Sequence, residues 1–381
     1  MSAKRLFLII TSAVLIKLFL FAFFVCYVPQ GKFLNDTPDY INAAEILSSQ
    51  GTFALAGADG VLNYDLHRAP GYAFFLFILH GCLHLSFDTV IFIQILLTLL
   101  AAGIIYKAAV WIDPKIAFLS AVIVLFDPPV SIFSLIILSE VLFFFLLACF
   151  MLIFVKFLKE KRTYQVVISA LALVLATYVR PTSYYLGIAL AIFILYAGIR
   201  AGGFKKAILH ASVFLVLVYS LLGIWESRNY RLTGVKTFAS VIQTNPKKFG
   251  LWESFSNQVK YAPNKIEPAF CYLKSSLRCF LSLMTRPGPF KYFRSAILSA
   301  IGKVLAYPWM VFWVLGLIIG VAKTGSNIYY QFILLVIAYF IVTSIEGAGF
   351  LVGERFRVPM VPFIAVLSAY GWSVLNTKNA K

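Results

Sequence analysis

The chain has 381 residues, 61% of them hydrophobic and 13% charged, with a formal net charge of +18. Soluble domains carry about 45–50% apolar and about 25% charged residues, which excludes a soluble globular protein. Nucleic-acid binding is a poor fit, because the basic residues are scattered between apolar stretches rather than gathered on one polar module.

The N-terminus, "MSAKRLFLIITSAVLIKLFLFAFFVCYV", has a basic start, a long apolar run and no small-residue cleavage site. It reads as a retained first span with Lys4 and Arg5 on the cytoplasmic side. Lys17 falls within that span, where it either snorkels, pairs inside the bundle or serves function. Spans need roughly 20 apolar residues, and they are expected near 6–28, 88–111, 116–133, 134–157, 164–180, 183–199, 206–225, 304–322, 328–346 and 357–375. A lipid-exposed backbone must satisfy its own hydrogen bonds, and the alternation of barrel strands is absent. The predicted class is therefore an all-α polytopic membrane protein of about ten transmembrane helices.

The segment "GYAFFLFILHGCLHLSF", 71–87, is apolar but short, and carries His80 and His84. If it does not cross, the connections 107–115, 156–163 and 200–206, Lys323 and the tail "NTKNAK" share one side, each short and basic. The positive-inside rule makes that side cytoplasmic and leaves 71–87 as a juxtamembrane helix in the outer interface. The resulting organisation is a transmembrane module, 1–225, containing a first outer loop at 29–87. A second outer loop follows at 226–303, then C-terminal transmembrane helices at 304–381.

Of the 15 acidic residues only Asp113 and Glu160 fall on the cytoplasmic side, so chemistry is expected on the outer face. The second loop is basic (Lys247, Lys248, Lys260, Lys265, Lys274, Arg278, Lys291 and Arg294 among others). It is either a solvated loop or a contact for phosphate-bearing lipids or saccharides. The five cysteines form no metal-like CxxC pair. Cys271 and Cys279 would lie about 12 Å apart on a helix, too far for a disulfide.

Five charged clusters meet the outer face. In "LNDTPDYINAAEIL", Asp39 suits the cap of a helix ending at Gly51, whereas Asp36 precedes that helix by more than a cap requires and is favoured for chemistry. In "NYDLHRAPGYAFF", Arg68 is presented by the Pro70-Gly71 break; its planar fork suits a phosphate or, alternatively, lipid headgroups. The neighbouring His67 is a weaker candidate base. "FDPPVSIFSLIILSEVLFFF" holds Asp127 and Glu140, and a carboxylate in a membrane helix marks a site or a buried pair. "ATYVRPTSYY" holds Arg180, and "GERFRVPMVPF" holds Glu354, Arg355 and Arg357.

A carboxylate opposite arginines at a membrane surface suits transfer of a sugar from a polyprenyl phosphate. The acid takes the proton of an attacking hydroxyl, and the arginines stabilise the leaving phosphate. No GxxxxGK[ST] and no GxGxxG after a strand is present, which fits a lipid-phosphate donor rather than a nucleotide sugar.

The order and spacing of these motifs resemble GT-C fold glycosyltransferases of the protein O-mannosyltransferase and aminoarabinose transferase group. In that group an Asp of the first outer loop stands four residues before an aromatic, as Asp36 does before Tyr40. A basic residue and proline then open a juxtamembrane helix, as in "HRAPGY". "LSEVLF", "RPT" and "ERFRVPMVP" complete the likeness, which covers about 1–225 and 345–375. The resemblance implies Asp36 as base of an inverting transfer. Arg68, with Arg180, Arg355 and Arg357, would contact the donor phosphate, and Asp39, Tyr40, His67 and Glu140 would support them. It also implies a polyprenyl-phosphate sugar as donor and a lipid, glycan or protein as acceptor, at the outer face of the inner membrane. Many relatives have Asp-Glu where this chain has Asp36-Thr37, and Pro-Pro where it has Ala69-Pro70. The first departure leaves no indicated metal or other cofactor. The rival class is a transporter or flippase, which would need charges at mid-depth and commonly an internal repeat.

Overall fold

The computed structural model describes residues 3–34, 36–57, 61–64, 67–261, 266–290 and 296–378. Lys265, Lys291 and Arg294 of the basic loop lie outside the described residues.

Helix α1 (Ala3–Tyr27) leads to α2 (Thr37–Gln50) and α3 (Gly71–Leu76), with one antiparallel pair between them in register Leu55↔Asn63. Helix α3 continues as a π-helical turn, Phe77–Cys82, so the helix expected over 71–87 is present but short. Then follow α4 (Phe87–Ile112), α5 (Pro114–Leu125), α6 (Pro128–Phe133), α7 (Glu140–Glu160) and α8 (Thr163–Val179). Next come α9 (Leu186–Arg200) and α10 (Phe204–Thr233). The second loop forms α11 (Val241–Phe249), α12 (Leu251–Tyr261) and α13 (Ile266–Thr285). The bundle closes with α14 (Ala296–Lys323), α15 (Ile328–Ala348), α16 (Glu354–Arg357) and α17 (Val361–Lys378). Among the described residues eight helices are long and apolar enough to cross a membrane, and Pro114–Leu125 and Thr163–Val179 are apolar but shorter. The all-α polytopic class is as expected.

Two expected spans differ. The run 116–133 is not one helix, and the next begins at Glu140 rather than 134. Residues before a proline avoid the α region. At Asp127-Pro128-Pro129 the chain leaves the helix, and the Asp127 carboxylate then caps α6 by accepting the Val130 N–H at 2.9 Å. The following stretch, 134–139, is buried and non-helical. Such backbone is tolerated at membrane depth only where protein satisfies it. Gln94 of α4 does so, its amide donating to the Ile136 carbonyl at 2.8 Å and to that of Ser134 at 3.2 Å. The Thr37 hydroxyl donates to the Ile137 carbonyl at 2.9 Å, and the Ile137 N–H to that of Lys32 at 3.0 Å. This buried turn ties the first loop to the start of α7.

Helix α17 is buried along most of its first ten residues and meets α14 at glycines. A Cβ on Gly371 would stand 1.9 Å from the Gly316 carbonyl oxygen, and one on Gly320 2.2 Å from that of Leu367. Small residues allow such backbone approach between membrane helices. Gly371→Ala is expected to destabilise by about 1–3 kcal/mol through overpacking. Gly103→Ala, where a Cβ meets nothing within 4 Å, should show no such loss. Thermal unfolding in detergent compares the two.

Lys17 is buried and donates to the Ser131 hydroxyl at 3.0 Å, so it pairs inside the bundle rather than snorkelling. Cys271 and Cys279 lie on the helical α13 as free thiols, as the spacing required.

Candidate active site

Asp36 stands at the N-cap position of α2, but its carboxylate makes no capping bond. The turn is closed instead by Thr37, whose hydroxyl accepts the Leu34 N–H at 3.0 Å. That leaves both oxygens of Asp36 for arginines. One accepts from Arg68 Nη2 at 3.1 Å and the other from Arg355 Nη2 at 2.6 Å. Asp39 is not the cap either. It lies inside the first turn and accepts from Arg68 Nε at 3.0 Å and Nη2 at 2.8 Å. The cap expected of Asp39 is replaced by a two-donor bond, which is the stronger use of a carboxylate.

Arg68 is aimed by its neighbours. Its guanidinium carbon lies 5.0 Å from the centroid of the Tyr40 ring, a cation–π contact. Tyr40 packs edge-on against Tyr72 at 5.0 Å, and its hydroxyl lies 3.3 Å from that of Ser139. Tyr72 in turn donates to Gln94 at 2.8 Å. Gln94, Tyr72, Thr37 and Ser139 thus support the site, and only Gln94 carries a signal in sequence, as an amide amid an apolar span. Gly71 brings α3 onto the backbone of α8. A Cβ there would lie 2.7 Å from the Tyr178 carbonyl oxygen and 2.9 Å from the Val179 nitrogen.

Arg355 also donates from Nε to Glu140 Oε1. Arg180 makes an ion pair with the same oxygen. The result is one alternating chain, Asp39–Arg68–Asp36–Arg355–Glu140–Arg180, built from five separate segments. Exposure grades along it: the Asp39 side chain is 43% exposed, Asp36 28% and Glu140 0%. Within it, Arg180 Nη1 is taken by the ion pair to Glu140 Oε1, and Glu140 Oε2 is buried without a hydrogen-bond partner among the described residues. Unsatisfied buried polar atoms call for an explanation, and a ligand group is one.

Burial pushes the Asp36 carboxyl up, but Arg355 and Arg68 outweigh it and hold the group below the usual carboxylate range. Asp36 is therefore ionised at neutral pH. Arg68 is held above its ordinary value: burial opposes its charge, and Tyr40, Asp36 and Asp39 more than offset that.

Arg357, expected beside Arg355, lies elsewhere. It is 1% exposed, donates to the carbonyls of Leu283 at 2.8 Å, Met284 at 3.2 Å and Arg286 at 2.9 Å, and sits 5.1 Å from the Trp313 ring. It thereby holds the carbonyl end of α13. His67 is exposed next to Arg68, and its carbonyl accepts the Val241 N–H of α11 at 3.4 Å. Among the described residues no group of three His, Cys, Asp or Glu side chains is placed to hold a metal ion.

The helical bundle, with this charged chain at one of its ends, has the GT-C fold of membrane glycosyltransferases. Residues 67–225 match the family model PMT_2, dolichyl-phosphate-mannose-protein mannosyltransferase. The chain also resembles the oligosaccharyltransferase of Archaeoglobus fulgidus. The apo form superposes with a TM-score of 0.60 at 14% identity over 99% of this chain and 51% of that one. The oligosaccharyltransferase AglB from Archaeoglobus fulgidus, in complex with an inhibitory peptide and a dolichol-phosphate, gives 0.54 at 13% over 99% and 51%. A form tethered to an acceptor peptide gives 0.58 at 13% over 99% and 50%. The chain spans about half the length of these structures. No curated protein matches it. The expected resemblance is borne out at the level of the fold, and the family match over 67–225 includes "HRAPGY" and "RPT".

Proposed function

We propose that the chain is an inverting glycosyltransferase that moves a sugar from a polyprenyl-phosphate donor to a lipid, glycan or protein acceptor. The reaction would occur at the outer face of the inner membrane, with Asp36 as base. The observation that carries this reading is Asp36 held between Arg68 and Arg355 at 3.1 and 2.6 Å, at the end of an apolar bundle.

A donor phosphate entering between the two arginines takes Asp36's place as their partner. Arginine's fork binds phosphate oxygens in pairs, and Arg180, paired to Glu140 through Nη1, stands next along the charged chain. Glu140 keeps Arg355 and Arg180 oriented during the exchange. Asp36, released, accepts the proton of the acceptor hydroxyl as its oxygen attacks the anomeric carbon. The bond to the phosphate oxygen breaks, and its electron pair leaves on the phosphate, stabilised by the arginines. One displacement with one base inverts the anomeric centre. The AglB complex with a dolichol-phosphate supports a lipid-phosphate donor for this fold. A transporter reading would need charges at mid-depth, whereas this six-residue chain occupies one end of the bundle and Lys17 is bonded to Ser131.

The test is transfer by purified protein in membranes, offered a panel of radiolabelled polyprenyl-phosphate sugars. Consumption of one donor with label appearing in an acceptor supports the reading. No donor consumed at any acceptor composition sinks it. The same assay tests positioning. In Gly71→Ala the added Cβ meets backbone that cannot rotate away, so α3 and Arg68 must shift. A displacement of about 1 Å costs up to ~10²-fold in rate, and a loss of that order is expected at normal expression.

A further inference from the structure

The family match ends at residue 225, and the helices beyond it build a cleft of their own with α15. Lys247 of α11, Trp252 and Glu253 of α12, Tyr272 of α13 and Glu346 of α15 line a space of about 400 Å³. Small-molecule sites run from roughly 300 to 1,000 Å³. The Glu346 carboxylate is fixed there: one oxygen accepts from the Tyr272 hydroxyl at 2.8 Å, the other from the Trp252 backbone N–H at 3.0 Å. Trp252 is braced by Phe255 at 5.3 Å and Tyr272 at 5.9 Å between ring centroids, but stays 58% exposed.

The local charge is opposite to that of the surrounding loop. Two carboxylates face one ammonium, which disfavours a phosphate and favours a ligand rich in hydroxyl donors. Carboxylates accept hydroxyl hydrogens, Lys247 donates to hydroxyl oxygens, and aromatic faces cover apolar C–H surface. That combination fits a pyranose ring. The cleft is also coupled to the charged chain. The Val241 N–H of α11 donates to His67, the residue before Arg68, and Cys279 and Ser282 of α13 donate to Gly349 at 3.3 Å and Val352 at 2.9 Å. Those carbonyls lie on the linker that carries Glu346 on to Arg355.

We propose that this cleft is a saccharide subsite, holding a sugar unit of the acceptor while its reactive hydroxyl reaches Asp36. The acceptor assignment rests on the transferase reading; saccharide binding itself does not. The experiment is saturation-transfer NMR on the full chain in lipid nanodiscs. The probes are methyl glycosides and disaccharides of glucose, mannose, galactose and N-acetylglucosamine. Ring protons of at least one probe should be saturated by the native chain and equally by Asp36→Asn. The signal should fall at least fivefold in Trp252→Ala and also weaken in Glu346→Gln, which preserves side-chain volume. No saturation by the native chain, or an undiminished signal in both variants, overturns the subsite. Once a donor is known, Trp252→Ala should raise the acceptor KM at least tenfold with donor KM within twofold. An unchanged acceptor KM overturns the acceptor role, even where Asp36→Asn has already abolished transfer.

Discussion

Asp36→Asn is expected to lower kcat for transfer by about 10²–10⁴-fold, the range that general-base catalysis contributes. The variant keeps shape and one hydrogen-bond acceptor toward the arginines, so its melting temperature and donor affinity should change far less than its rate. The pH dependence adds a sign. In the free protein Arg355 and Arg68 hold Asp36 below the usual carboxylate range, so it stays ionised as pH falls to about 4. Activity through this group is lost only when pH falls through the depressed value and the base is protonated. When the donor phosphate occupies the arginines their pull on Asp36 weakens, and the base strengthens. The acid limb of kcat, which reports the complex, should therefore lie at higher pH than that of kcat/KM, which reports the free protein. Coincident limbs, or a full rate in Asp36→Asn, would refute the exchange.

Glu140→Ala carries the second large effect. Its carboxylate is fully buried and is the counter-charge of both Arg355 and Arg180. Removing one partner of a buried ion pair costs about 3–5 kcal/mol, because the remaining charge stays desolvated. A fall in melting temperature of about 4–6 °C is expected for a chain of this length. Arg355 would also lose the partner that orients it toward Asp36, so transfer should fall with stability. The coupling is measurable: residues in one charge network deviate from additivity. The double variant Asp36→Asn with Glu140→Ala should lose less rate than the product of the single losses. A melting temperature equal to the native one would show that the Glu140 pairs contribute nothing.

Much of this was legible beforehand because membrane burial writes itself into composition. An apolar stretch of span length has few alternatives in lipid, and every expected span except 116–133 is covered mainly by a single helix. The errors fall where local chemistry competes with hydropathy. Apart from Asp127 and four serines, residues 116–139 are apolar or proline, so the break at Asp127-Pro128-Pro129 and the buried turn at 134–139 leave little mark on mean hydropathy. Asp39 reads as a cap because Asp commonly caps, yet α2 begins at Thr37 and the carboxylate is taken by an arginine 29 residues later. Arg355 and Arg357 look alike in "ERFRVP". Only their neighbours separate them, one on Asp36 and Glu140 and the other on the carbonyls of α13.

Sequence alone identifies the apolar segments that form the helices of a polytopic bundle, and puts acidic residues and several arginines near the ends of those segments. Hydrophobic free energy is a sum over residues and can be read locally. The tertiary structure decided which arginine meets which acid. Asp36 and Arg355 are 319 residues apart, and an ion pair depends on distance and on the water excluded around it. Neither is a property of any segment. Both arise when α2, α3, α7, α8 and α16 are packed together, through Gly71, Gln94 and the buried turn before Glu140.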